Sequence, residues 1–208
     1  MTTYFIDFIN EVPDDTLTFG VYQTFPNTPG IDSVAWLRAD VPEKGIAGVK
    51  FNETYCVVNA DYFDDNEKGR YKASQTFDTK LGTAWELIEK DGVAQFDKRV
   101  SSSNADNLIV IRNSSKTTAS LGIGLSGKLS AIKRKVYVDS VAAFKVTPTF
   151  YVGVFTDLEI GEIITDDVIL ANTKIVFDGD NVATIRAYLT GHVFNLDVTY
   201  SNRASSSL

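Results

Sequence analysis

The sequence predicts an all-β protein: a single-domain antiparallel β-sandwich, jelly-roll-like, with little helix. Three observations predict it. Val, Ile and Thr together make up 56 of the 208 residues, against 13 Leu. β-Branched side chains are stiff at χ1 and fit a pleated surface better than a helix, and 12% aromatics push the same way. Apolar and polar residues alternate with period 2 in many short runs. Turn residues then separate those runs at short intervals, the spacing of a sandwich or barrel and not of βαβ units.

The elements follow in order. In Leu17-Thr18-Phe19-Gly20-Val21-Tyr22-Gln23, residues Leu17, Phe19 and Val21 share one face. In Asn107–Arg112, Leu108 and Val110 oppose Ile109 and Ile111, as in a strand covered on both sides. Phe194, Leu196 and Val198 face away from Asn195, Asp197 and Thr199. Strands are expected near 3–9, 17–24, 33–38, 47–51, 54–61, 70–77, 84–89, 93–97, 107–112, 117–124, 135–139, 143–156, 172–177, 182–189 and 193–200. Pro13-Asp14-Asp15, the Pro26–Gly30 loop, Pro42–Gly45, Asp91-Gly92 and Asp178-Gly179-Asp180-Asn181 supply the turns. Thr83–Lys90 and Lys128–Val136 have some helical spacing; the first is read as a strand and the second is left open. No repeat of fixed period emerges and no linker divides the chain. Residues 1–202 read as one domain and 203–208 as a polar tail, with Ser101–Asn104 the best central loop.

Composition excludes several functions. One Cys rules out an intrachain disulfide framework, and one His with one Cys rules out the usual zinc ligand sets. Twenty basic against 27 acidic residues, net −7, argues against nucleic acid, whose binding draws on a positive field. The N-terminus has neither a basic n-region nor an apolar h-region. The longest purely apolar stretch, Tyr151–Phe155, is far short of the roughly 20 residues of a membrane helix. Synthesis in the cytoplasm without a signal peptide is expected, and signal-less export is compatible with it.

Gly122-Ile123-Gly124-Leu125-Ser126-Gly127 matches the glycine fingerprint of dinucleotide-binding folds. Its context does not: no parallel βαβ unit surrounds it and no acidic residue follows at the needed distance. A closely packed glycine strand is the expected reading. Lys133-Arg134-Lys135 reads as a solvated turn. Asp61, Asp64, Asp65 and Glu67, in what reads as a long loop, are the candidate calcium ligands, because calcium takes six to eight oxygens. Their spacing is not that of an EF-hand. Asp178 and Asp180 are explained by their turn. His192, next to Gly191, is the sole candidate imidazole base, and Cys56 lies in a strand that reads as buried. Trp36, Tyr62 and Tyr71 are the candidates for stacking a sugar ring, with Trp85 and Tyr55 as further aromatics; core packing is the competing role. No catalytic residue, cofactor or metal is assigned.

Several phrases taken together resemble the rhizosphere-induced protein (RhiA) family. They are Leu17–Gln23, Ser33–Trp36, Tyr71–Thr76, Ser120–Gly127, and Pro148–Phe155 leading into Gly161-Glu162, spread over roughly residues 4–190. The resemblance implies a bacterial β-rich protein of one continuous domain, in which the glycine motif belongs to the scaffold. It brings no catalytic residue, cofactor or substrate.

The expected function is therefore a non-enzymatic interaction or structural protein, self-associating through strand edges such as Thr3–Ile9. The alternatives are a lectin-like module for surface glycans and a membrane-active protein built on strands such as Thr117–Ser130. An enzyme ranks last. The expected partners are a second copy of the chain or a surface glycan.

Overall fold

The computed structural model describes residues 2–25, 28–65, 68–99, 105–147 and 149–203. The chain is all-β, as its composition predicts. Its strands are β1 (Thr3–Asn10), β2 (Leu17–Tyr22), β3 (Asp32–Ser33), β4 (Leu37–Val41), β5 (Ile46–Asn52), β6 (Tyr55–Asp65), β7 (Lys68–Thr79), β8 (Thr83–Lys90), β9 (Val93–Arg99), β10 (Leu108–Ser114), β11 (Ala119–Leu125), β12 (Lys128–Val136), β13 (Val141–Lys145), β14 (Phe150–Phe155), β15 (Ile169–Ile175), β16 (Val182–Thr190) and β17 (Val193–Ser201). Among the described residues, helix is confined to one 3-10 turn at Asp166–Val168. Both phrases with helical spacing are strands, β8 and β12. The run expected near 143–156 is two strands, and 135–139 is mostly the turn between β12 and β13. Ser101–Asn104, Pro26, Pro148 and the tail beyond Arg203 lie outside the described residues.

Four sheets form, ordered β17-β16-β1-β5, β15-β14-β2-β4, β13-β10-β8-β9 and β3-β12-β11-β6-β7. They pack in two pairs. In the first pair Phe8 of β1 stacks on Phe19 of β2, ring centroids 4.8 Å apart, and Phe51 of β5 meets Phe150 of β14 at 4.9 Å. In the second, Trp85 of β8 packs on Phe77 of β7, and its Nε1 donates to Thr79 Oγ1 at 2.7 Å. A single buried cluster runs through both pairs, from Ile6 and Phe8 by way of Trp36 and Tyr55 to Trp85 and Phe144.

The two pairs share one topology, although the sequence shows no repeat of fixed period. β1, β2, β4 and β5 occupy in the first pair the places that β10, β11, β12 and β13 occupy in the second. β14, β15, β16 and β17 likewise match β6, β7, β8 and β9. Each half of the chain thus gives four strands to each sheet pair, and the halves are interlocked. The two parallel pairings, β1 with β16 and β8 with β10, are where strands of different halves meet. Parallel neighbours need long crossovers: from β1 to β16 the crossover takes in the whole second sheet pair, and from β8 to β10 it runs out along β9. Equivalent positions carry different residues, so a search for a sequence period finds nothing.

The halves differ at two connections. β11 and β12 are joined by the tight turn Ser126-Gly127, whereas the equivalent link from β2 to β4 carries β3. The β14–β15 link, residues 156–168, is also long. These two insertions pair with each other: Ala35 N–H donates to Glu162 O at 2.9 Å and Ile164 N–H to Ser33 O at 3.0 Å. They then grip the second sheet pair, with Val34 N–H on Ser130 O at 3.0 Å and Tyr71 N–H on Gly161 O at 2.8 Å.

Two sequence expectations are corrected by this topology. Thr3–Ile9 is no edge: β1 is hydrogen-bonded to β16 on one side and β5 on the other. Residues 61–65 are not loop but the end of β6, which with β7 makes a ribbon.

The glycine motif is part of the sheet. A Cβ on Gly122 would sit 2.5 Å from the Ala131 carbonyl oxygen, and one on Gly124 would overlap the Lys128 carbonyl and lie 2.8 Å from Cys56 Sγ. The motif serves close strand packing between β6, β11 and β12.

Candidate functional site

Strand β6 determines what can reach a ligand. Its pleat sends Tyr55 and Val57 into the main core and Cys56, Val58 and Ala60 to the opposite face, where they pack with Tyr71. The next inward positions are Asn59 and Asp61, polar residues where a core strand calls for apolar ones. They border a cleft of about 340 Å³ at one end of the second sheet pair, lined also by Leu87, Ala94 and the run Thr117-Thr118-Ala119-Ser120.

The cleft's polar side chains are uncommitted. The Asn59 amide, the Asp61 carboxylate and the hydroxyls of Thr117 and Thr118 make no hydrogen bond or ion pair with another side chain or backbone group among the described residues, while Ser120, paired with Ala60, turns its side chain to the outer face. Gln75, opposite Asn59 on β7, donates Nε2–H to the Ala94 carbonyl and leaves Oε1 buried without a partner. A buried acceptor left unpaired costs on the order of 1–3 kcal/mol. Such a cost is tolerated where a ligand or water can supply the missing donor.

The equivalent end of the first sheet pair is plugged. Register places Val154 at the position of Asn59, Ala171 at that of Gln75 and Phe194 at that of Ala94. Val154 is fully buried, and Phe194 packs on the main core. The same fold therefore closes one mouth with apolar side chains and keeps the other polar and open.

The stacking candidates take three different places. Trp36 is wholly buried, edge-on to Phe51 at 5.0 Å, so it offers no face to a ligand, and its Nε1 has no partner. Tyr71 is buried on the outward face of the ribbon. Tyr62 lies beside it, 5.2 Å between centroids, and is 57% exposed. Its ring lies across Gly69, where a Cβ would come within 2.6 Å of ring atom Cε2. The two tyrosines thus stand on the face of the ribbon opposite Asn59 and Asp61, and Tyr62 contributes only to the rim of the cleft.

The acidic candidates are also divided. Asp61 and Asp64, three residues apart on one strand, project from opposite faces, and both are exposed. Asp61 is paired across the ribbon with Lys72 and Asp64 with Gly69. Asp65 closes β6, and its side chain, like the whole of Glu67, lies outside the described residues. No three His, Cys, Asp or Glu residues converge on a metal position among the described residues.

Other reactive groups are placed apart. Cys56 is fully buried; burial, and secondarily the charge of Asp78, pushes its thiol up to about 11. His192 is exposed in the β16–β17 turn. A larger hollow of about 510 Å³ lies at the far end of the second sheet pair, between Tyr55, Thr79 and Leu81. There Thr79 Oγ1 is already bonded to Trp85 and Thr83, so it offers less to a ligand. No helix is long and apolar enough to cross a membrane among the described residues.

Sequence reasoning found Asp61 and Tyr62 but missed Asn59, Gln75, Ala94 and Thr117–Ser120. The available signal was Asn59 itself, which breaks the inward row Tyr55, Val57 at a position that would otherwise be core.

Fold and cleft define an all-β protein with one polar, ligand-accessible mouth. The RhiA family model matches residues 1–199, and the chain belongs to that family. No curated protein matches the chain, and neither does any solved structure.

Proposed function

We propose that the protein is a non-enzymatic binding module that recognises a hydroxyl-rich ligand, a glycan, in the cleft between Asn59, Asp61, Ala94 and Thr117–Ser120. The observation that carries this reading is the divergence of two equivalent mouths. Fold stability is served by plugging, as Val154 and Phe194 do; four unpaired polar side chains, Asn59, Asp61, Thr117 and Thr118, and a buried orphan acceptor at the other mouth serve no packing role. Hydroxyls, an amide and a carboxylate around one hollow match the alternating donors and acceptors of a sugar ring.

Self-association through strand edges has less support. β4 runs beside β5 and β15 beside β17, so those edges face each other. β7 is engaged at Tyr71 by Gly161 and at Gln75 by Ala94. Covered edges are poor templates for a second chain.

A glycan array probed with the intact protein, with and without calcium, tests the reading. Binding that is independent of calcium and lost in Ala94→Phe supports it. Absence of binding to any glycan in either condition removes it.

A further inference from the structure

We infer, building on the glycan reading, that the cleft selects amino sugars over neutral sugars and rejects acidic ones. The charge inventory of the cleft carries this. Its one acidic lining residue is Asp61, and no Lys, Arg or His lines it among the described residues. Asp61 makes no ion pair there, so its carboxylate keeps its acceptor capacity for a ligand. The Asn59 amide oxygen, which also makes no bond there, is a second acceptor. The cation paired with Asp61 across the ribbon, Lys72, is held over the ring of Phe63, 4.6 Å from its centroid. Lys116, next to Thr117, is bound to Glu89 at 2.7 Å. The site is therefore rich in acceptors and poor in positive charge, within a chain of net charge −7 that repels anions at longer range.

A ligand ammonium meets Asp61 in a charge-assisted hydrogen bond, about twice as strong as a neutral one. A hydroxyl in its place donates to the same carboxylate without the attraction between two opposite full charges, and a carboxylate faces like charge. Discrimination comes from both the attraction and the repulsion.

Calorimetric titration of the intact protein with tetramers of glucosamine, glucose and galacturonate, at about pH 5.5 where a carboxylate is ionised, tests this. The expected order is glucosamine over glucose by roughly two- to fivefold, the range of an exposed charge pair, with galacturonate not bound. Asp61→Asn, at an exposed position, should erase the preference, so that the variant binds glucosamine no more tightly than it binds glucose. Equal binding of all three sugars, or a glucosamine preference that survives Asp61→Asn, overturns the selectivity but leaves glycan binding standing. Binding of none of the three, with wild type and Ala94→Phe indistinguishable, overturns both.

Discussion

Asn10 and Asn113 occupy the same corner of two interlocked copies of one chain path. Each is fully buried. Asn10 Nδ2 donates to the carbonyls of Asp15 and Val41, both at 2.9 Å, and its Oδ1 accepts from Val12 N–H at 2.8 Å. Asn113 Nδ2 donates to Thr117 O and Val136 O, both at 2.8 Å, and its Oδ1 accepts from Ser115 N–H at 3.1 Å. Even the backbone agrees: Lys44 N–H donates to Asn10 O and Asp139 N–H to Asn113 O, and Lys44 and Asp139 share a positive φ, 55° and 61°. One side chain closes each corner where the chain leaves one sheet for its partner.

Replacing either asparagine with alanine strands two carbonyls and one N–H in the interior. At 1–3 kcal/mol per buried orphan, partly relieved by water, each variant is expected to lose roughly 3 kcal/mol. The corners lie in different sheet pairs, so the double variant should lose nearly the sum. Urea unfolding of the four proteins measures this, and a loss below about 1 kcal/mol at either corner contradicts the equivalence.

Gly124→Ala tests the scaffold role of the glycine motif. The new methyl meets the Lys128 carbonyl and Cys56 Sγ, neither the end of a flexible chain. Overpacking of this kind costs about 1–3 kcal/mol. The midpoint of thermal unfolding should fall accordingly, and an unchanged midpoint would show that the strands have room to spare.

Stability should fall in alkali. Cys56 is held at about 11 in the fold, above its ordinary value near 9, so between these values the unfolded chain releases a proton that the folded chain keeps. The contribution is full below about pH 9 and is lost as pH rises toward 11, up to roughly 2–3 kcal/mol. Tyr22, raised to about 12 by burial first and the nearby Tyr151 and Asp166 next, adds loss of the same sign at higher pH. Denaturation at about pH 8 and pH 10.5, on wild type and Cys56→Ala, isolates the thiol. The variant should show the smaller drop; equal drops would assign the alkaline loss elsewhere.

Calcium should leave stability unchanged. Asp61 and Asp64 point to opposite faces of a ribbon, so they cannot share an ion. Calorimetric scans with calcium and with chelator should superimpose, and a midpoint raised by several degrees in calcium would point to a site the ribbon geometry does not form.

Much of the fold is legible in the residues. β-Branched content and alternation locate nearly every strand, because a half-buried strand must carry apolar residues at period 2. Pairing is not legible in the same way. That β1 is central depends on its pairing with β16, as Phe5 with Val182, and that Asn10 and Asn113 are equivalent depends on comparing two corners far apart in the chain, neither of which local patterning encodes. The ribbon was misread for a related reason: Asp61, Asp64 and Asp65 suggest solvent and hence loop, whereas an antiparallel hairpin beyond the sandwich is solvated on both faces and carries charge freely. For the cleft, Asp61 and Tyr62 stand out as types, but Ala94 signifies only by contrast with Phe194, a comparison that needs the register of both sheet pairs.

The divergence of the two mouths is tested most directly by Ala94→Phe, which copies the plug of the first sheet pair into the second. Amide chemical-shift mapping of the intact protein titrated with a bound glycan should place the perturbations at Asn59, Asp61, Ala94 and Thr117–Ser120. Ala94→Phe should abolish them while unfolding at the wild-type midpoint or above. Perturbations centred elsewhere, or unchanged affinity in the plugged variant, would contradict the account.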